Sequence, residues 1–339
     1  MDVTGADREW TEIRRERMIY EDEAILVLDK PVGISVMGER HDTDLVTLAG
    51  DDGEELFPVH RIDKVTSGLV LFARQLRFHG DLTRQFQRRT VDKRYLVLTR
   101  TRGLPASGTV DLPLSVGRKS RVRVAANRAD IMADLAEVAP LAEVADLGEG
   151  APLAEVAPLA EVADLGEVAP LAEVAPLAEV ADLGEAAPLA EAARAEVGPT
   201  GAGAGAGVGR WTVPPAAVFP HVRTYPSVTT FIRVWEGGEY TLLAVTPVSG
   251  RRHQIRVHLA WIGHPIEGDP LFGRDATART LLHSWRLAFD AAWAGGSRIE
   301  VEAPPGADFW APVRTHLPAG LAATLLGNVA GGSGIGGFA

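Results

Sequence analysis

The sequence predicts an α+β domain that is interrupted by a low-complexity acidic insertion. Short apolar runs at 24–31, 68–74 and 94–100 predict strands. Two further runs, 229–235 and 240–245, are joined by EGGE, which is typical of a β-hairpin. Because such hairpin-like runs are accompanied by separate helices, we expect a mixed, mainly antiparallel sheet with flanking helices.

Two segments have the spacing of amphipathic helices. Apolar residues recur every four positions from Phe78 to Phe86, so one face of a helix between two predicted strands is apolar. Ile255, Leu259 and Ile262 mark a second helical face after the hairpin. Both helices are expected to pack against the sheet.

An acidic repeat separates the two groups of strands. A leucine recurs every six residues from Leu135 to Leu189, in units such as APLAEV and ADLGEV, and a Gly/Ala run follows at 201–209. The period resembles the hexapeptide pattern of a left-handed β-helix, but the prolines and the scarcity of β-branched residues argue against packed strands. Interior prolines also exclude a continuous helix. We therefore predict a largely disordered or partly helical insertion at 129–220.

The net charge of −11 is concentrated in this insertion. Residues 133–197 contain 15 of the 45 acidic residues and one of the 34 basic residues, so the rest of the chain carries a net charge of +3. A mildly basic remainder is compatible with binding a polyanion.

Composition excludes several other classes of protein. Hydrophobic residues make up 46% of the chain, which is enough to form a core. The absence of cysteine removes disulfides, thiolate metal sites and thiol nucleophiles. The charged N-terminus lacks the apolar run of a signal peptide, and no apolar run reaches the length of a membrane span. We expect a cytoplasmic protein, monomeric and without a membrane partner.

The segment VHRIDKVTSGLVLFAR (59–74) combines a carboxylate, basic residues and a turn before an apolar strand. Asp63 would lie on a loop anchored by that strand, where catalytic groups are commonly presented. Thr66 and Ser67 can hydrogen-bond the loop backbone, and Gly68 permits a close approach. By itself this arrangement is generic, since an aspartate in a turn is structural far more often than catalytic.

The full string, however, resembles the HR-[LI]-D-x-x-T-S-G signature of RluA-type pseudouridine synthases. Four further segments resemble the family's other blocks in the same chain order, and together the five blocks extend from about Tyr20 to Phe289. These segments are YEDEAILVLDKPVGISV (20–36), DKRYLVL (92–98), TPVSGRRHQIRVHLAWIGHPIEGDPLFG (246–273) and LLHSWRLAF (281–289).

The resemblance implies the pseudouridine synthase catalytic fold and an isomerase that converts uridine in RNA to pseudouridine. Asp63 matches the family's catalytic aspartate, which could act as a nucleophile at C1′ or as a base at C2′. Tyr95 matches the tyrosine that packs on the flipped base, and otherwise would be an ordinary strand aromatic. Arg256 matches the basic residue that pairs with the aspartate and favours its ionised form, and otherwise would be a solvated helix residue.

A target base inside a helix must be extruded before it can react. Arg61, next to the catalytic loop, is the candidate for filling the vacated place or gripping a phosphate. For His60 a structural role is the stronger alternative. The other residues considered as RNA contacts are Thr66, Ser67, Arg251 and Arg252.

The histidines of the later blocks raise the question of a metal site. Their family positions bind no metal, and no cysteine supports a zinc site. These histidines are His253, His258, His264 and His283. We expect an enzyme without a metal or organic cofactor.

Combined with the resemblance, the patterns divide the chain into five segments. Only about 18 residues precede Ile19, too few for the S4 RNA-binding domain of some relatives, so target choice would depend on the catalytic domain, the insertion or RNA shape. The predicted segments are an N-terminal extension (1–18), the catalytic domain in two parts (19–128 and 221–321), the insertion (129–220) and a flexible tail (322–339).

Three hypotheses follow. The first is an active synthase that modifies tRNA or rRNA. The second is an RNA-binding or RNA-folding protein whose catalysis is dispensable. The third concerns the insertion, whose carboxylates could screen the basic RNA face, bind a basic partner or serve only as a spacer.

Overall fold

One large mixed sheet organises the part of the chain that the computed structural model describes, which is residues 9–38, 43–117, 121–137, 207–273, 279–318 and 321. The strands are β1 Met18–Glu21, β2 Ile25–Lys30, β3 Phe57–Pro58, β4 Ser67–Ala73, β5 Asp92–Thr99, β6 Ser107–Asp111, β7 Leu114–Val116, β8 Val122–Val124, β9 Met132–Glu137, β10 Gly207–Thr212, β11 Thr224–Tyr225, β12 Val228–Gly237, β13 Tyr240–Pro247, β14 Leu282–Ala291 and β15 Ser297–Glu302. The helices are α1 Trp10–Arg17, α2 Leu45–Asp51, α3 Leu76–Arg88, α4 Gln254–Trp261 and α5 Ala307–Trp310.

The order of strands in the 12-stranded sheet is β1-β2-β4-β14-β5-β13-β12-β6-β10-β9, with β3 beside β4 and β15 beside β14. Strand β14 lies between β4 and β5, parallel to the first and antiparallel to the second. A separate three-stranded sheet has the order β11-β7-β8. The mixed, mainly antiparallel sheet predicted from the sequence is confirmed.

Apolar side chains cover both faces of the large sheet. Along β5, Tyr95 and Val97 join one hydrophobic cluster, whereas Leu96 and Leu98 join a second. This alternation follows from the two-residue period of a strand. Strand β4 is buried at every position, as expected for a strand covered on both faces.

The predicted hairpin and both predicted helices are present. Strands β12 and β13 pair antiparallel, with Gly237 opposite Tyr240 at the turn. Helix α3 includes the face from Phe78 to Phe86, and α4 includes Ile255 and Leu259.

The structure moves the boundaries predicted for the insertion. Strand β9 pairs antiparallel with β10, and β10 pairs parallel with β6, so both ends of the range 129–220 belong to the large sheet. Pairing between strands satisfies the backbone hydrogen bonds at both ends of this range. The amino-acid composition of the range did not indicate this pairing. The prediction of disorder for the central residues 138–206 lies outside the described residues.

The range assigned to the N-terminal extension also contains a packed element. Trp10 and Ile13 of α1 are buried in the main hydrophobic cluster. The Nε1 of Trp10 and the Nε of Arg14 both donate to Glu54, at 2.8 and 2.9 Å. The folded domain therefore begins before residue 18. The predicted tail, 322–339, lies outside the described residues.

None of the helices in the described ranges is both long and apolar enough to cross a membrane.

Candidate active site

Asp63 lies on the loop between β3 and β4. The carbonyl of Asp63 accepts a hydrogen bond from the amide of Thr66 at 2.9 Å, which closes a tight turn. The next carbonyl, that of Lys64, accepts from the amide of Gly33 at 2.9 Å and from the ammonium of Lys30 at 3.4 Å. The turn that follows β2 therefore braces the loop carrying Asp63.

The ammonium of Lys30 is fully buried. It also donates to the carbonyls of Pro31 and Ile34, both at 2.8 Å. A buried charge is tolerated when hydrogen bonds replace its hydration, and these carbonyls provide them. The Lys-Pro turn of the first sequence block thus acts as a structural support for the site.

Arg256 joins two carboxylates. Its Nη1 donates to Asp63 Oδ2 at 3.0 Å, while its Nε and Nη2 donate to Asp269 at 2.7 and 2.8 Å. Burial alone would lower the pKa of Arg256, but the hydrogen bond and charge of Asp269, together with those of Asp63, raise it. Arg256 is therefore a permanent cation that holds Asp63 in place.

Asp269 is the residue that orients Arg256. It is completely buried, and its Oδ1 also accepts from the amides of Leu271 and Phe272 at 2.8 and 3.1 Å. Burial would raise the pKa of Asp269, but the hydrogen bond and charge of Arg256 lower it overall. Asp269 was not predicted from the sequence, although it lies in the G-D-P-L-F-G segment (268–273) of a block that resembles the family.

Tyr95 lies on β5, with its ring at the edge of the main hydrophobic cluster. Burial, and secondarily the charge of Asp63, raise the pKa of Tyr95 to about 12, against a lowering effect of its hydrogen bond with Ser284. The phenol is therefore neutral at physiological pH.

His253 is a second neighbour of Asp63 that the sequence analysis considered only as a metal ligand. Its Nε2 lies 3.5 Å from Asp63 Oδ1. Burial lowers the pKa of His253, the charge of Asp63 raises it and the charge of Arg256 lowers it, for a net decrease. A neutral imidazole can donate an N–H toward Asp63. His253 has a φ of 55°, a left-handed conformation that starts α4 and turns the side chain toward the loop.

Gln254 fixes the loop that precedes α4. Its Oε1 accepts from the Ser249 hydroxyl at 2.6 Å and from the Arg251 amide at 2.8 Å. Its Nε2 donates to the carbonyl of Val228 at 2.8 Å and to the hydroxyl of Thr229 at 3.0 Å. Gln254 was not singled out from the sequence either.

These groups surround a cleft with a volume of about 620 Å³, a typical size for a site that holds a small molecule or a single nucleotide. The lining residues are Gly38, Arg61, Ile62, Asp63, Thr66, Tyr95, Pro247, Gly250, Arg251, Arg252, His253, Gln254, Ile255, Arg256 and Leu282. Every site residue predicted from the sequence is among them except His60 and Ser67.

His60 and Ser67 are engaged elsewhere. The Nε2 of His60 accepts from the amide of Leu71 at 3.1 Å, and its ring stacks on Phe86. Burial, and then the charge of Lys93, lower the pKa of His60 to about 3. The hydroxyl of Ser67 is bonded to His283 Nδ1 at 2.8 Å. Both side chains support the fold and lie outside the cleft lining, and their role as RNA contacts stays a prediction.

The remaining histidines hold separate parts of the fold together. His258 bridges the Thr229 hydroxyl and the Leu112 carbonyl at 2.9 and 3.0 Å, and His264 is bonded to the Thr101 hydroxyl at 2.7 Å. Across the described ranges, no three His, Asp or Glu side chains are grouped so that they could hold a metal ion.

The rim of the cleft is cationic. Arg61, Arg251 and Arg252 are exposed, and within the described residues their guanidinium groups form no ion pair with a carboxylate. Arginines on other surfaces do form such pairs, as Arg298 does with Asp92 and Asp290. The site therefore combines one oriented carboxylate with unpaired cations at the entrance, an arrangement suited to a polyanionic substrate.

The comparison with protein families gives the class of this site. A family model described as RNA pseudouridylate synthase matches residues 24–261, more than half of the chain. The chain belongs to this family. Two curated relatives, a ribosomal large subunit pseudouridine synthase D and a dual-specificity synthase RluA, further identify it as a member of the RluA-type group.

Two curated relatives align over most of the chain. The ribosomal large subunit pseudouridine synthase D of Nitrosomonas europaea is 26% identical over 290 residues, which is 80% of this chain and 57% of that enzyme. The dual-specificity RNA pseudouridine synthase RluA of Vibrio vulnificus is 27% identical over 293 residues, which is 83% of this chain and 78% of that enzyme. The chain thus spans little more than half the length of the synthase D relative.

A solved structure, human RNA pseudouridylate synthase domain containing 4, has a TM-score of 0.54 at 17% identity and aligns with 90% of this chain and 94% of its own. At that identity the likeness establishes the fold, which confirms the fold class expected from the sequence.

Proposed function

We propose that this protein is an RNA pseudouridine synthase with Asp63 as its catalytic carboxylate. The observation that carries the proposal is the Asp63–Arg256–Asp269 network at the base of a cleft rimmed by exposed arginines. The network presents one carboxylate, that of Asp63, to the cleft and keeps its position fixed. Isomerisation of a base needs such a group and consumes no second substrate.

The reaction balances within one nucleotide. The bond from uracil N1 to C1′ breaks, the base turns, and C5 forms a new bond to C1′; C5 then loses its proton while N1 gains one. Asp63 can serve this sequence in either of two ways, by attacking C1′ or by removing the proton at C2′. Both ways need a carboxylate in a fixed position, which the hydrogen bond from Arg256 provides.

Tyr95 is proposed to pack against the extruded base rather than to act as an ionised base. Its pKa of about 12, caused first by burial, leaves the phenol protonated at neutral pH. An aromatic ring at the edge of the cleft offers a flat apolar surface, and stacking on an aromatic side chain is a common way of holding a flipped base.

The substrate is proposed to be tRNA or rRNA. Extruding a uridine costs a few kcal/mol in unstacking, and Arg61, exposed beside the Asp63 loop, is placed to occupy the vacated position or grip a phosphate. Arg251 and Arg252 would contact the same strand, and Thr66 is a further contact at the cleft wall. The protein is proposed to act as a monomer in the cytoplasm.

The test uses RNA labelled with tritium at C5 of uridine, because formation of the C5–C1′ bond must release that hydrogen. With unmodified tRNA and rRNA as substrates, we expect the wild-type chain to release tritium. Asp63→Asn should lower the rate of tritium release by about 100- to 10,000-fold, while RNA affinity persists. Asp81→Asn, at a partly exposed carboxylate on α3, is the matched control and should keep the wild-type rate. Turnover by Asp63→Asn would contradict the assignment of Asp63.

Cells supply the complementary measurement. Pseudouridines would be mapped across total tRNA and rRNA from wild-type, deletion and Asp63→Asn strains. A site that disappears in both mutants identifies the substrate. If the Asp63→Asn gene instead restores the growth of a deletion strain in full, the RNA-binding role is favoured over catalysis.

A further inference from the structure

Tyr225 lies between two arginines beside the cleft. The guanidinium carbon of Arg223 is 5.2 Å from the centre of the Tyr225 ring, and that of Arg251 is 5.5 Å from it. Both distances are within the range of a cation–π interaction. Arg251 also lines the cleft, so this arginine–tyrosine–arginine cluster continues the cleft along its rim.

Ordered backbone holds both sides of the cluster. Tyr225 belongs to β11, which pairs with β7 through Tyr225 opposite Leu114, and its carbonyl accepts from the Ser227 hydroxyl at 2.9 Å. On the other side, the Arg251 amide donates to Gln254, the residue that fixes the loop before α4. The two guanidinium groups are therefore directed by rigid elements rather than by a free loop.

Neither guanidinium is neutralised within the described residues. Arg223 and Arg251 are exposed and take part in no side-chain hydrogen bond or ion pair with that part of the chain. The ring contact places each guanidinium carbon near the aromatic ring, and within the described residues the N–H donors of both groups stay available. A guanidinium with free N–H donors matches the oxygens of a phosphate in two-point geometry.

We propose that Arg223, Tyr225 and Arg251 form a clamp for backbone phosphates of the RNA strand that adjoins the extruded uridine. This inference rests on the proposed function, because it takes the cleft as the place where the uridine binds. In this clamp Tyr225 is a positioning residue that holds the two arginines at a fixed separation. Arg223 and Tyr225 lie in the segment before β12, outside the five sequence blocks that carry the family resemblance.

The test measures how RNA affinity depends on salt, with a fluorescein-labelled RNA stem-loop that has a uridine-rich loop as the probe. The electrostatic part of RNA binding does not depend on sequence, so the probe need not be the natural target. Each lost phosphate contact should reduce the slope of log K against log salt by about 0.7 to 0.9. We expect that reduction in Arg223→Ala and in Arg251→Ala.

Tyr225 is tested by a pair of variants. Tyr225→Phe keeps the ring and should bind with the wild-type slope. Tyr225→Ala removes the support for both arginines and should reduce the slope as the arginine variants do. Circular dichroism on each variant verifies folding.

The control is Arg77→Ala. Arg77 is also exposed, also lies over an aromatic ring (Phe78, at 4.5 Å) and does not line the cleft, so its removal should leave the slope unchanged. Equal slopes for wild type, Arg77→Ala and Arg223→Ala would overturn the clamp, and so would a wild-type chain that does not bind the probe.

Tritium release on the same preparations separates this proposal from the proposed function. A chain that binds the probe with the expected slopes but releases no tritium refutes the synthase activity and leaves the phosphate clamp standing. A chain that releases tritium normally while Arg223→Ala keeps the full slope refutes the clamp alone.

Discussion

At the scale of single residues, the site depends on a chain of charges that reaches from the interior to the cleft. Asp269 is fully buried and Arg256 almost so, whereas 23% of the Asp63 side chain is exposed. The inner carboxylate orients the guanidinium, and the guanidinium orients the outer carboxylate. Asp269 is not among the residues that line the cleft, so we propose that it acts only through Arg256.

Asp269→Asn should weaken both the fold and the reaction. It leaves a buried guanidinium with only the partly exposed Asp63 as a counter-ion, and breaking a buried pair costs about 3 to 5 kcal/mol. Urea unfolding should show a decrease of that order, and tritium release should fall because Asp63 loses its fixed partner. The control is Glu16→Gln, which breaks an exposed pair with Arg15 and should change stability by less than about 1 kcal/mol. Equal effects of the two substitutions would contradict the role given to Asp269.

At the scale of secondary structure elements, the close approach of β4 and β14 builds the site. Gly68 lies opposite Ser284, and Ser284 in turn is hydrogen-bonded with Tyr95. Gly68 has a φ of 104°, and a β-carbon at this position would lie 2.2 Å from the Ser284 carbonyl oxygen. The Thr-Ser-Gly turn therefore ends in glycine because a neighbouring strand leaves no space for a side chain.

Gly68→Ala should destabilise the protein by on the order of 3 kcal/mol, the combined effect of a strained φ and of strands pushed apart. Thermal unfolding measures the loss, and tritium release should also fall because Ser284 and Tyr95 are displaced together. Gly80→Ala is the matched control. Gly80 lies within α3 with open space around the added carbon, so alanine there should stabilise the helix by about 0.5 to 1 kcal/mol. A Gly68→Ala variant as stable as wild type would refute the packing argument.

At the scale of the whole molecule, the acidic insertion leaves the large sheet from one strand and returns on its neighbour. Glu137 at the end of β9 is paired with Gly207 at the start of β10. The two ends are therefore adjacent, and a two-residue turn can connect them. Residues 138–206 contain 13 acidic residues and one basic residue, so this segment carries a net charge of −12, against −11 for the whole chain.

Replacing 138–206 with Asn-Gly, which favours a tight hairpin turn, should leave the sheet intact. We expect stability within about 1 kcal/mol of wild type, since the pairing of β9 with β10 is kept. RNA affinity at low salt should rise because the carboxylates that compete with RNA phosphates are gone. The salt-dependence assay measures this, and an affinity and slope identical to wild type would leave the insertion as an inert spacer. A longer deletion, of 133–209, would also remove residues of β9 and β10 and would therefore not test the insertion alone.

The sequence by itself determined the strands with apolar runs and the two amphipathic helices, and its resemblance to a known family predicted Asp63, Tyr95 and Arg256 as site residues. These follow from local periodicity and from motifs that are contiguous in the chain. It also placed the acidic charge in one segment, because charge is counted without coordinates.

Only the tertiary structure decided which of these residues meet and what supports them. Asp63 and Arg256 are 193 residues apart, and their contact depends on how the sheet orders its strands. The burial of Asp269, the engagement of His60 and Ser67 outside the cleft, and the placement of Tyr225 between two arginines all depend on neighbours distant in sequence. Periodicity and motif spacing describe a segment's own preferences, whereas these contacts arise from packing between segments, which local patterns do not encode.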